Sequence, residues 1–425
     1  MKQKYTAQIF ILIIILSIVG CVPTIEPPVP KSGELDFSNY IAVGGSLTAG
    51  LSNREVIAGG EQPEGGLYPK AQMNSYPAIF ARQLNHVETI NFSQPMVEGN
   101  GSSYSRLDGF RITCDNLSPT PRMSMSIANS NWTTPIEDKG PFNNMGIPEL
   151  KMADIYDRSQ NNPYLRRVIA DSLSYHDAIR NAEATFFTLS LGMEDFLQYA
   201  YLGGKGDDIT DVALYKSHMK SLLSALLEKE GARGLVTNIP DITQLPFFRS
   251  IKPLVHTLDC TPKQMWVETC SASIIPAGES DLILLTCFDQ ALGQIGAGWG
   301  SDIDNPVPNK YVIDEQELAL IQSMTTAYNE AIQELVDEFN TDGRKLALVD
   351  LYTLYDQIYT GKIINGIQVD ASYIYGSFFS LDGLFPTARG NALIANHLIK
   401  TLNNSFPDVS IPPTSVTNYP GVAFP

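Results

Sequence analysis

The chain has 425 residues, of which 44% are hydrophobic, 18% charged and 9% aromatic, with 32 Gly and 27 Pro. That composition is globular and too apolar for a disordered chain, and the length suits one large α/β domain with insertions or two modest domains. Its 29 basic residues against 46 acidic ones leave a net charge of −17, which argues against a nucleic-acid partner, because the phosphates would be repelled.

Met1-Lys2-Gln3-Lys4 is a short positive start, and Ile9 to Val19 is an almost uninterrupted apolar run of 11 residues ending at Gly20-Cys21. A membrane-spanning helix needs about 20 such residues, so residues 1–20 read as an export signal. The order Ile18-Val19-Gly20-Cys21 resembles the bacterial lipobox, which implies cleavage before Cys21, acylation of that cysteine and a protein lipid-anchored in the bacterial cell envelope, at the outer membrane. Removing Lys2 and Lys4 leaves 27 basic residues against 46 acidic, a net −19, so the body is expected to stand off an anionic membrane and be held by its anchor alone. Residues 21–36 hold the lipidated cysteine and a Pro-rich linker, residues 37–410 the main domain, and residues 411–425 a C-terminal tail. Export permits disulfides among Cys114, Cys260, Cys270 and Cys287; three pairings are open, and Cys260 with Cys270 is the most economical bridge.

In chain order, Tyr40 to Val43 is a short apolar strand ending in Gly44-Gly45, and Phe186 to Leu191 repeats the pattern before Gly192. Gly234 to Thr237 and Leu346 to Val349 are further strands, each continuously apolar as in a parallel sheet covered on both faces. Helices are predicted over Val212–Lys229, over Asp314–Phe339 with a capping-box start at Asp314 and Glu317, and over Arg389–Leu402. Strands alternating with helices predict a three-layer α/β/α sandwich with a mainly parallel sheet, whose ligand site lies beyond the carboxyl ends of the strands. Residues 92–140 and 241–313 are long, turn-rich insertions expected to wall or cover that rim.

Val43-Gly44-Gly45-Ser46-Leu47-Thr48-Ala49-Gly50 is the most informative segment, because a serine after glycines at a strand end can be thrust into a pocket as a nucleophile. Gly44-Gly45-Ser46-Leu47-Thr48-Ala49-Gly50 resembles the first block of the SGNH (GDSL) hydrolases, Phe142 to Glu149 the second, Leu191-Gly192-Met193-Glu194-Asp195 the third, and Asp382 to Gly390 the last. The blocks stand in family order across the whole mature domain. Wider stretches such as Ser75-Tyr76-Pro77 and Phe92-Ser93-Gln94-Pro95 resemble a group of such lipoproteins from Bacteroidetes-type bacteria. The resemblance implies a flavodoxin-like sandwich and ester hydrolysis. It implies a serine nucleophile at Ser46, oxyanion donors from backbone and asparagine side chain near the turns at Gly44, Gly45 and Gly192, and a histidine base oriented by Asp382. No cofactor or resident metal is expected.

Three positions depart from that pattern. Glu149 stands where the family has glycine, Glu194 where it has asparagine, and Phe385 where it has the histidine base. A phenyl ring accepts no proton, and an ionised Glu194 would place negative charge where the reaction builds an oxyanion. Of the five histidines, His86, His176 and His218 fall on or beside helices, and His397 lies 12 residues beyond Phe385, about 18 Å along a helix. His256, in the second insertion, is the one placed to fold over the rim. The acids Glu149, Glu194 and Asp382 could together attract a hard cation, but solvation or pairing with Lys or Arg is the stronger expectation. The expected protein is therefore an anchored SGNH-fold lipoprotein with impaired chemistry that binds an acylated small molecule, lipid or glycan. The competing reading is an active esterase, lipase or carbohydrate deacetylase working through Ser46 with an unconventional base.

Overall fold

The computed structural model describes residues 29–57, 59–60, 62–111, 120–158, 162–256, 261–289, 294–295 and 298–425. The expected export signal, Cys21, Cys114 and Cys260 lie outside them. Five parallel strands form the central sheet: β1 (Tyr40–Gly44), β2 (Asn144–Gly146), β3 (Phe186–Ser190), β4 (Arg233–Thr237) and β5 (Leu346–Val349). Their order across the sheet is β5-β4-β3-β1-β2. Every residue of β1 is buried, and β3 to β5 are nearly so, as strands covered on both faces must be. The predicted strands thus form, joined by the three-residue β2 from the second block.

Seven helices matter to the site: α1 (Ser46–Ala49), α2 (Tyr76–Leu84), α3 (Tyr175–Asn181), α4 (Met193–Ala200), α5 (Val212–Leu226), α6 (Glu315–Phe339) and α7 (Ala388–Ser405). Asp314 accepts from the Gln316 and Glu317 N–H groups while Glu317 accepts from the Asp314 N–H, the reciprocal cap that starts α6. Helix α5 buries Tyr215, Met219, Leu222, Leu223 and Leu226, one face at helical spacing. It packs against α3 and α6, whereas α2 packs against α7, which gives the two outer layers of an α/β sandwich.

Strand order reverses between β1 and β3, so the loops leaving their carboxyl ends part and open a crevice. That crevice receives Ser46 from β1 and Glu194 from α4. At the opposite end of the sheet, Lys31–Ser32 pairs with Val409–Ser410 just beyond α7. The tail then returns along α7, with Asn396 exchanging hydrogen bonds with Thr414 and the Arg389 N–H donating to Pro420 O.

Both insertions contain structure. The first carries an antiparallel hairpin, Tyr104–Arg111 with Thr120–Ser126. The second builds a small core of its own from Met265, Val267, Ile283, Cys287, Val307 and Tyr311. The expected Cys260–Cys270 bridge falls on Cys260, outside the described residues; Cys270 and Cys287 are free thiols. Cys270 sits in the turn between Trp266–Glu268 and Ile274–Pro276, where its N–H donates to Asp314 Oδ2 (2.7 Å) and its thiol to Gln316 Oε1 (3.4 Å). It is thereby turned toward the start of α6.

Candidate active site

Gly44 closes β1 because no side chain fits there: a Cβ would stand 2.1 Å from Thr48 Oγ1 and 2.4 Å from Ser190 O. Gly45 donates to Ser190 O and caps α1, which turns Ser46 inward to complete burial. The Ser46 backbone N–H donates to Glu194 Oε1 (3.2 Å), and Ser46 Oγ accepts from the Glu149 N–H (3.0 Å). These two backbone N–H groups occupy the positions at which the SGNH pattern places its oxyanion donors. Each is engaged inside the protein.

Glu194 is only 2% exposed. Burial raises its pKa to about 7, opposed by hydrogen bonds from Ser46 and the charge of Arg54 and reinforced by Glu149. Its second oxygen, Oε2, has no hydrogen-bond partner. A Cβ on Gly45 would lie 3.1 Å from Glu194 Cγ, so the longer acid and the glycine at the neighbouring position fit one another. The aspartate of the family's Gly-Asp-Ser triplet would crowd this space.

Glu149 lies three residues beyond β2 with φ +62°, the left-handed region that favours the family's glycine. Its carboxylate forms an ion pair with Arg54, which is 1% exposed. Arg54 escaped the sequence reading altogether. Its Nη1 donates to Tyr201 Oη (3.3 Å), and its backbone N–H donates to Asp382 Oδ2 (3.0 Å). Burial works against its charge, yet Tyr201, Glu149, Tyr164 and Glu194 around it outweigh that effect and hold the guanidinium protonated. Gly66 makes room for its stem, since a Cβ there would meet Arg54 Cγ at 2.6 Å. The acids at the family's oxyanion positions thus gather around an arginine.

Asp382 is fully buried, and its carboxylate is taken up by backbone. Oδ1 accepts from the Leu384 and Phe385 N–H groups (2.8 and 2.9 Å), Oδ2 from Arg54. Burial raises its pKa, with these N–H groups pulling the other way. Phe385 points into the core with no exposure. Ser380 Oγ accepts from the Asn53 N–H while Asn53 Oδ1 accepts from the Leu381 N–H, so the Arg54 loop is pinned to the last block.

The histidines whose side chains are described are engaged elsewhere or exposed. His176 Nε2 meets Ser221 Oγ (2.9 Å), His218 Nδ1 meets Met152 O (2.9 Å), His397 lies beside Asp350, and His86 is exposed. His256 ends the short strand Leu254–His256. Beside Ser46 a cavity of about 20 Å³ is lined by Gly45, Leu191, Gly192, Glu194 and Ile239. A single water needs roughly 10–15 Å³, so this space suits a water molecule and not an acyl chain.

Residues 40–398 match the family model described as GDSL-like lipase/acylhydrolase. Among solved structures, a protein described as a GDSL-like lipase from Parabacteroides merdae ATCC 43184 is similar over 87% of this chain and 97% of its own, at 12% identity and a TM-score of 0.34. No curated protein matches. The family match spans most of the chain, with the four blocks at the carboxyl ends of a parallel sheet, and the chain belongs to the GDSL-like lipase/acylhydrolase family.

Proposed function

We propose that this protein is a GDSL-family envelope lipoprotein that does not hydrolyse esters through Ser46 and that binds an acylated lipid or glycan. The observation that carries the silent-site reading is Glu194 Oε1 on the Ser46 N–H: the donor that would stabilise an oxyanion already holds a carboxyl oxygen. With Phe385 in the core, no imidazole among the described side chains stands ready to take the serine proton. Losing the base of a serine triad costs on the order of 10⁶ in turnover, and here the oxyanion donors that normally leave residual activity are filled as well. Since the space beside Ser46 is large enough only for a water molecule, the ligand belongs on the segments around the rim. Turnover of a short-chain nitrophenyl ester by the wild type and by Ser46→Ala tests the reading. Equal background rates are expected, and Ser46-dependent hydrolysis well above background would overturn it.

One observation favours the competing reading. Glu194 has a pKa near neutrality and its carboxyl lies against the Ser46 hydroxyl, so it could act as the base itself. In that case turnover would rise as pH passes through about 7 and vanish in Glu194→Gln.

A further inference from the structure

We propose that the outer face of the hairpin Tyr104–Arg111/Thr120–Ser126 binds an acidic polysaccharide. This rests on the reading above for its glycan-binding role and adds the surface and the chemistry. Along Thr120–Ser126, Thr120, Arg122 and Ser124 share one face, and across the ladder they stand opposite Arg111, Gly109 and Arg106. Arg106 and Arg111 are five residues apart, which in a regular strand would put them on opposite faces. The bulge at Asp108, between the Leu107 and Gly109 pairings, shifts the alternation and brings both onto the face of Arg122. The result is three arginines at successive same-face positions, roughly 7 Å apart along the ribbon.

Arg106 and Arg122 are exposed and Arg111 is half-exposed. None of the three forms an ion pair among the described residues, and Asp108, itself exposed, pairs with none of them. The opposite face is built to hold the ribbon still. Leu107 packs with Ile374 and Leu381, and Phe110 stacks on Tyr375 and Phe424 with centroids 5.7 and 6.1 Å apart. On a chain of net charge −17, this stripe is a local inversion of sign. Guanidinium forks suit the carboxylate or sulfate groups of a polyanion.

Position selects a polysaccharide over a lipid surface. The Ser105 N–H donates to Asn53 O, which roots the hairpin at the rim beside Arg54. Lys31–Ser32, the end toward the anchor, lies beyond the far end of α7, whose 18 residues span about 27 Å. If residues before Lys31 carry the anchor proposed above, the arginine stripe lies at the end of the domain away from it.

The test titrates the full mature chain with polygalacturonate, with neutral dextran and with phosphatidylglycerol vesicles, alongside the triple variant Arg106→Gln, Arg111→Gln, Arg122→Gln. Polygalacturonate is expected to bind with an affinity that falls as salt rises, the triple variant to lose about tenfold or more, and dextran to remain unbound. An unchanged triple variant, no binding of polygalacturonate, or tighter binding to the vesicles would overturn the proposal. Binding is read without turnover, so ester hydrolysis through Ser46 would refute the silent-enzyme reading and leave this result standing.

Discussion

The turn after β1 and the turn before α7 have each kept one residue of the hydrolase pattern and lost its partner, and in both the survivor is occupied by backbone. Ser46 receives the Glu149 N–H and gives its own N–H to Glu194. Asp382 receives three N–H groups and has a phenyl ring where its histidine would stand. The difference between the two turns is one of degree. Asp382 satisfies donors that have no other partner in a fully buried place, whereas Ser46 contributes one acceptor. Both side chains thus have structural partners in the fold, three buried N–H groups for Asp382 and one for Ser46.

The largest expected effect is at Asp382. Asp382→Ala strands three buried N–H groups at about 1–3 kcal/mol each, a loss on the order of 5 kcal/mol in urea unfolding. Asp382→Asn, which keeps one oxygen for Leu384 and Phe385, should lose clearly less. Equal stability of the alanine variant and the wild type would break the comparison on the side of the last turn.

Next comes Glu149. Glu149→Gly relieves a left-handed backbone worth about 1 kcal/mol but leaves the Arg54 guanidinium buried without its carboxylate, a cost of about 3–5 kcal/mol for a buried pair, less here because Glu149 is partly exposed. The pair wins, so a net loss of about 2–3 kcal/mol is expected, and Arg54→Met in the same background should recover most of it. Stabilisation by Glu149→Gly alone would mean that backbone strain dominates.

A smaller effect concerns pH. The folded pKa of Glu194 is raised from 4.5 to about 7, so its contribution to stability is fully present below pH 4.5 and is lost as pH rises through 7. Asp195 and Glu317, raised to about 6 and about 7, act with the same sign, so the difference between wild type and Glu194→Gln isolates the one group. Unfolding free energies measured from pH 4.5 to 8 should decline less steeply in the variant, by an amount on the order of 3 kcal/mol. Parallel curves would show that Glu194 titrates normally.

The scaffold was legible because it is written in continuous apolar runs: Tyr40 to Val43, Gly234 to Thr237 and Leu346 to Val349 lie in the sheet, and Phe186 to Leu191 overruns its strand by one residue. Strand β2 has three residues, Asn144-Met145-Gly146, too few and too polar to announce itself by periodicity. The positions of Ser46, Glu149, Glu194, Asp382 and Phe385 could be read from the blocks. Their mutual engagement could not, because it depends on Arg54, a lone basic residue eight positions after the serine. The one cue was indirect: acids at two neighbouring oxyanion positions favour a cation between them. The arginine stripe was hidden by the Asp108 bulge, which breaks the alternation that would otherwise reveal a shared face.

The central claim, that the Ser46 hydroxyl is sealed and unactivated, is tested most directly by a fluorophosphonate probe followed by intact-mass and peptide analysis of the full mature chain. The account predicts an unmodified Ser46 under conditions that saturate an active serine hydrolase. Stoichiometric phosphonylation of Ser46, absent in Ser46→Ala, would contradict it.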